Sequence, residues 1–269
     1  MNGAENMIIK TLLENTTSCP GILCEHGLSL LIELPDMTIL FDSGETGIFA
    51  DNAALMKEDL SRVDLMILSH AHSDHGGGIA RFLSLNDHAP VYVSRFSFDD
   101  HFGSEGNYNG IDRALEGHPQ IRLLGEHEKL AEGVEIFACN EMGFRHRIRP
   151  FGLQMGLNGK MVPEDFRHEQ YLVLDREGKR IVISGCSHKG VLNVMNWLHP
   201  DILIGGFHFM KVLFDEEGCA FLDAAAQELL SYDCTYYTCH CTGLPQYGYL
   251  KEKMGDRLHY LSGGMTLEL

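Results

Sequence analysis

Residues 68–78 read LSHAHSDHGGG and place four side chains able to bind a metal, His70, His72, Asp74 and His75, close together in one loop. Three imidazoles and a carboxylate at that density point to a ligand loop rather than a polar surface turn. The preceding VDLMILSH, residues 63–70, is a short apolar run rich in β-formers, which predicts a strand buried on both faces of an α/β layer. In extended backbone His70 and His72 are two apart, so both rings can turn to one side and share a cation. Asp74 and His75 follow after a bend and can reach a second. The run Gly76-Gly77-Gly78 lets the chain turn sharply and pass close to the site before a helix opens at IARFLSL. At least one of Gly76 and Gly77 is therefore expected to need a positive φ or a contact too close for a Cβ.

The loop resembles the His-x-His-x-Asp-His signature of the metallo-β-lactamase superfamily, and the resemblance covers most of the chain. TILFDSG, residues 38–44, looks like that superfamily's strand ending in an aspartate, which implies that Asp42 braces the histidine loop. RIVISGCSHKG, residues 180–190, and YYTCHCTG, residues 236–243, both read as a strand followed by a ligand-bearing loop. LLENTT, CEHGLSLLIE, SGCSHKGVLN, IGGFHF and CHCTG, in that order, further resemble the dihydropterin-ribofuranosyl-aminobenzene-phosphate synthase-like subfamily. The fold implied is α/β (α+β), the four-layer αββα metallo-β-lactamase sandwich, as a single domain over residues 1–269. Strand-like runs alternating with helical patterns agree with helices on outer faces. VLNVMNWL and FLDAAAQELLSYD are the clearest amphipathic helices.

Bulk properties narrow the function. The 269 residues are 44% hydrophobic and show no Ser/Pro-rich linker, so one large core is expected. A formal net charge of -17 disfavours attraction of phosphate backbones, so no nucleic-acid partner is expected. Without an apolar leader, or an apolar run of about 18 residues, no membrane partner is expected and the chain is read as cytoplasmic. The eight cysteines lack the spacing of a zinc ribbon or a secreted scaffold and read mainly as buried thiols. GFRHRIRP, residues 143–150, alternates Arg145, Arg147 and Arg149, which in a strand would share one face, as a solvated edge or an anion clamp.

The resemblance also implies further metal ligands. His240 in CHCTG fits the late histidine of a two-cation site. The bridging aspartate expected after RIVISG is absent, because Gly185 is followed by Cys186, Ser187 and His188. His188 is the expected replacement, with the Cys186 thiolate and His168 as alternatives. His208, between two phenylalanines, is either a satisfied buried histidine or, with Asp74, a member of the catalytic group. Asn15, Glu25 and His26 are expected substrate contacts on the subfamily resemblance.

One or two divalent cations are implied, with zinc favoured and iron or manganese compatible with the donors. Such a pair can hold a hydroxide and polarise the bond it attacks. The expected function is hydrolysis of a small anionic ester, lactone or phosphoester, with a small-molecule substrate as partner. A synthase acting on a pterin and a ribofuranosyl-aminobenzene phosphate, and a non-catalytic sensor, are the alternatives.

Overall fold

A computed structural model describes residues 7–269. The chain divides into two compact units, one drawn from Met1–Phe102, Asn107–Leu124 and Ser262–Leu269, the other from Gly103–Gly106 and Gly125–Leu261.

The first unit holds a seven-stranded sheet. In spatial order its strands are Thr266–Glu268, Ile8–Leu13, Ser29–Glu33, Thr38–Phe41, Leu65–Ile67, Val91–Ser94 and Ile121–Leu124. The first four run antiparallel and the last four, from Thr38–Phe41 onward, run parallel. Leu65–Ile67 sits inside the parallel part, with Leu65 opposite Ile39 on one side and Met66 opposite Val91 on the other. One face of the sheet, through Leu31, Leu40, Met66 and Val91, packs with Phe49 and Ala53 of the helix Ile48–Leu55 and with Ile79 and Phe82 of the helix Ile79–Leu85. Leu30, Ile32, Ile39, Phe41 and Ile67, on the opposite face, are buried too. Each such side chain contributes roughly 1.5–3 kcal/mol when fully buried, so the loops that leave this sheet start from a rigid edge.

The second unit is built on the same plan. Its strands lie in the order Leu258–Tyr260, Thr235–Thr238, Ile202–Ile204, Lys179–Ile183, Tyr171–Arg176, Val134–Phe137 and His127–Ala131. The first four are parallel and the remainder antiparallel. Val182, Leu203 and Tyr236 pack with Val194 and Met195 of the helix Val191–Leu198, Leu222 and Leu229 of Glu216–Ser231, and Leu250 of Leu244–Met254. The helix Glu216–Ser231 begins where the Asp215 side chain accepts a hydrogen bond from the Gly218 N–H, with Glu216 and Glu217 in its positive first turn. The two amphipathic patterns seen in the sequence are thus helices, and the chain has the mixed α/β composition expected of it. Among the described residues no helix is long and apolar enough to cross a membrane.

Candidate functional site

Parallel strands in register end at the same edge of a sheet, and loops leaving that edge are brought together by the hydrogen bonding of the strands. In the first unit, Asp42 follows Thr38–Phe41 and the histidine loop follows the adjacent parallel strand Leu65–Ile67. The chain bends at Ser69 and His70, His72 makes an isolated bridge to Gly110, and Ser73–Gly76 forms one helical turn carrying Asp74 and His75. The ring centroids of His70 and His72 are 4.7 Å apart, and those of His70 and His75 are 4.1 Å apart. Nε2 of His75 is 3.6 Å from Oδ2 of Asp74. His70 and His75 are wholly buried and His72 nearly so.

Asp42 organises this cluster. Its carboxylate accepts from the Ser69 N–H at 2.7 Å, from the Ser69 hydroxyl at 2.7 Å and from Nδ1 of His75 at 2.7 Å. A carboxylate already accepting two hydrogen bonds fixes the tautomer of His75, with the proton on Nδ1 and the lone pair on Nε2. Asp42 does this from the left-handed region, at φ 60°. Burial lowers the His75 pKa, but the Asp74 and Asp42 carboxylates outweigh it and raise the group above its ordinary value, so a cation at Nε2 would take the place of a proton there. Burial, then Asp74 and Glu25, likewise raise Glu45. The cluster thus sits in a negative field that favours a cation. Buried imidazole nitrogens with one adjacent carboxylate are a donor set that suits zinc, iron or manganese.

Neither Gly76 nor Gly77 has a positive φ. A Cβ on Gly77 would lie 2.1 Å from the Glu45 carbonyl oxygen and one on Gly76 would lie 2.4 Å from Cγ2 of Ile111. Close approach, not backbone handedness, is what demands glycine here.

The early segments reach the same loop. Nδ2 of Asn15 is 3.3 Å from Nδ1 of His26, and Nε2 of His26 is 3.4 Å from Oδ2 of Asp74, so Asn15 and His26 form a polar chain ending on the aspartate. Glu25 accepts from the backbone N–H groups of Glu45 and Thr46 and from the Thr46 hydroxyl, which braces the loop after Asp42. His101, buried in a Gly-rich stretch and not singled out in the sequence, has its ring 6.1 Å from that of His72.

In the second unit, three adjacent parallel strands deliver residues 184–188, 205–208 and 239–241 from one edge. Donor atoms of Cys186, His240 and Cys241 lie within 4.8 Å of one another, all buried. His188 stacks on Phe166, centroids 4.5 Å apart and 8° from parallel, and meets the His208 ring edge-on at 4.1 Å. Ser187, His208 and His240 have φ of 57°, 56° and 48°. Non-glycine residues held there cost on the order of 1–3 kcal/mol each and cluster at functional sites. His168 pairs with Glu164, Nε2 to Oε1 3.0 Å, both buried.

Glu169, not singled out in the sequence, fixes the His188 loop. Its buried carboxylate accepts from the N–H groups of His188 at 2.6 Å and Lys189 at 2.9 Å and from the Tyr171 hydroxyl at 2.6 Å. The Lys189 ammonium, wholly buried, donates to the carbonyls of Ala138 and Glu169 and to the Asn140 side chain. Burial, the largest influence on it, lowers its pKa despite the nearby Glu169 charge.

Residues 143–150 are irregular rather than a strand, so the three arginines do not share a face. The buried Asn193 side chain takes the place of a partner strand, accepting from the N–H groups of Arg145 and His146 and donating to the His146 carbonyl. Arg147 and Arg149 line a cavity of about 170 Å³ with His188 and His208, whereas Arg145 lies beside Glu228 and Tyr232.

Comparison with known proteins agrees with this architecture. The chain is 26% identical, over 98% of its length and 97% of the relative, to the 7,8-dihydropterin-6-methyl-4-(β-D-ribofuranosyl)-aminobenzene-5'-phosphate synthase of Methanocaldococcus jannaschii. An uncharacterised protein of the same organism is 27% identical, over 88% of this chain and 91% of its own. The solved structure of Tm1679, described as a metal-dependent hydrolase of the β-lactamase superfamily, has a TM-score of 0.82 at 24% identity and covers 98% of this chain and 99% of its own, a likeness of fold. The family model of the metallo-β-lactamase superfamily matches residues 23–205, the span that contains Asp42, the whole histidine loop and His188. By that match, and by the fold that carries it, the chain belongs to the metallo-β-lactamase superfamily.

Proposed function

We propose that this protein is a metal-dependent hydrolase of small anionic esters, lactones or phosphoesters. The observation that carries the reading is the buried group of His70, His72 and His75 beside Asp74, with Asp42 holding the His75 tautomer. Metal ligation is assigned to His70, His72, Asp74 and His75 in the first unit and to His188 and His240 in the second. Divalent cations held by these donors would supply Lewis acidity, making water a nucleophile near neutral pH and polarising the bond attacked. Asp42 keeps the Nε2 lone pair of His75 available. Asn15 and His26 orient the Asp74 carboxylate, and Asp74 is suited to take a proton from the attacking water and pass it to the leaving oxygen. His208 lines the cavity beside His188, which supports a role in contacting substrate.

The curated synthase supports a second reading, a transferase joining a pterin to a ribofuranosyl-aminobenzene phosphate, since the similarity runs almost end to end in both chains. Supplying purified protein with zinc, manganese or iron and measuring turnover of aryl esters, lactones and phosphodiesters separates the two. Metal-dependent hydrolysis that disappears in the His70→Ala, His72→Ala variant supports the hydrolase. Product formation only with a pterin and an aminobenzene co-substrate supports the synthase.

A further inference from the structure

The cavity bordered by Arg147, Arg149, His188 and His208 has a composition that the hydrolase reading does not by itself require. Its floor is apolar, from Val191, Phe207 and Phe209, all buried. Its rim carries two guanidinium groups on exposed residues. Among the described residues, no carboxylate lies within ion-pair distance of Arg147 or Arg149, although the chain carries 38 Asp and Glu against 21 Lys and Arg. The charge of both arginines is thus available at the rim to an incoming anion.

The rim is also built. Beyond the two hydrogen bonds that Asn193 accepts and the one it donates, Nε2 of His146 is 2.8 Å from Oε1 of Glu228 and the Trp197 indole donates to the Gly143 carbonyl at 3.0 Å. The segment bearing the arginines therefore has no regular structure but is tied to two helices, Val191–Leu198 and Glu216–Ser231. Arg149 lies over the Phe221 ring with its Cζ 4.1 Å from the centroid. Stacking occupies the face of a guanidinium and leaves its edge, with the N–H donors, for an in-plane partner such as a phosphate. An Arg149 side chain already held on Phe221 loses little entropy when its edge meets such a partner.

We infer that this cavity is the substrate subsite and takes a single aromatic ring bearing a phosphate group, the ring on the apolar floor and the phosphate against Arg147 and Arg149. The size agrees, since an apolar cavity of roughly 150 Å³ admits benzene and this one is about 170 Å³. The charge agrees as well. With a net charge of -17, long-range attraction cannot gather a phosphate monoester, so its recognition needs cations in direct contact. This assignment rests on the small-anion reading above and names the class of anion.

Phenyl phosphate, inorganic phosphate and phenol are the probes, titrated calorimetrically into the whole protein after metal removal by chelation, so that the phosphate meets no cation other than side chains. Phenyl phosphate should bind at least about tenfold more tightly than either half alone. The Arg147→Gln, Arg149→Gln variant should weaken it on the order of tenfold or more, with phenol binding unchanged. Arg145→Gln, outside the cavity, is the control and should match the parent. Equal affinity of parent and double variant, or equal binding of inorganic phosphate and phenyl phosphate, overturns the assignment. Turnover of aryl phosphoesters by the metal-loaded protein is measured separately. Arginine-dependent binding without turnover upholds the subsite and removes the hydrolase reading, while turnover with KM unaltered by the double variant does the opposite.

Discussion

Oδ2 of Asp42 lies 2.7 Å from Nδ1 of His75, and neither side chain is exposed to solvent. The carboxylate thus acts through the far side of the ring, by leaving Nε2 unprotonated. Asp42→Asn keeps the shape but can place an N–H where the ring N–H must donate. Metal affinity by chelator competition should fall about 10–100-fold, while His75→Ala should lose more. An Asp42→Asn variant that binds metal like the parent contradicts the positioning role.

Gly77→Ala puts a methyl 2.1 Å from a backbone oxygen, whereas Gly76→Ala meets the movable end of Ile111. Overpacking typically costs about 1–3 kcal/mol, and backbone yields less readily than a side chain. Gly77→Ala should lower metal affinity more than Gly76→Ala, and by more than it lowers the thermal midpoint of the metal-free protein. Parent-like metal binding in both variants means that the loop does not need its close approach.

Glu169 accepts from two backbone N–H groups and a tyrosine hydroxyl, all away from solvent. Glu169→Gln should cost roughly 1–3 kcal/mol in urea unfolding and weaken the metal contribution of His188. An unchanged unfolding midpoint would show that water or a neighbour replaces the carboxylate.

His188→Ala should reduce metal content or rate, and Cys186→Ser should leave both nearly intact, because the imidazole is the better-suited donor beside His208. The opposite pattern moves the ligand to the Cys186, His240 and Cys241 group, whose donor atoms already converge.

Burial pushes the Cys139 and Cys234 thiols up to about 12. The unfolded chain ionises such thiols near 9.0 and the folded chain does not, so their contribution is complete below that pH and is lost as pH rises towards about 12. Native protein near neutral pH should therefore be alkylated by iodoacetamide at exposed Cys24 and not at Cys139 or Cys234. Rapid labelling of either buried thiol contradicts the packing described.

The parts of the site that could be read from the sequence are those made by a strand and the loop directly after it. Asp42, the histidine loop, the 186–188 loop and His240 all have this form, because apolar β-formers and donor residues are contiguous there. Contacts made between distant segments were not readable. Glu169 acts on N–H groups 19 and 20 positions away, and a single glutamate beside a histidine carries no local mark of that. Alternating arginines in residues 143–150 suggested a shared face, but the alternation has meaning only in a strand, and Asn193 captures the backbone groups a strand would have used. His101 reaches the histidine cluster through an irregular loop whose path no periodicity encodes.

Elemental analysis of purified protein alongside its His70→Ala, His72→Ala variant decides whether the histidine loop holds metal. If the loop holds it, the parent carries one or two equivalents of a divalent metal per chain and the variant loses most of it, with the far-UV spectrum retained. Equal, stoichiometric metal in both proteins would contradict it.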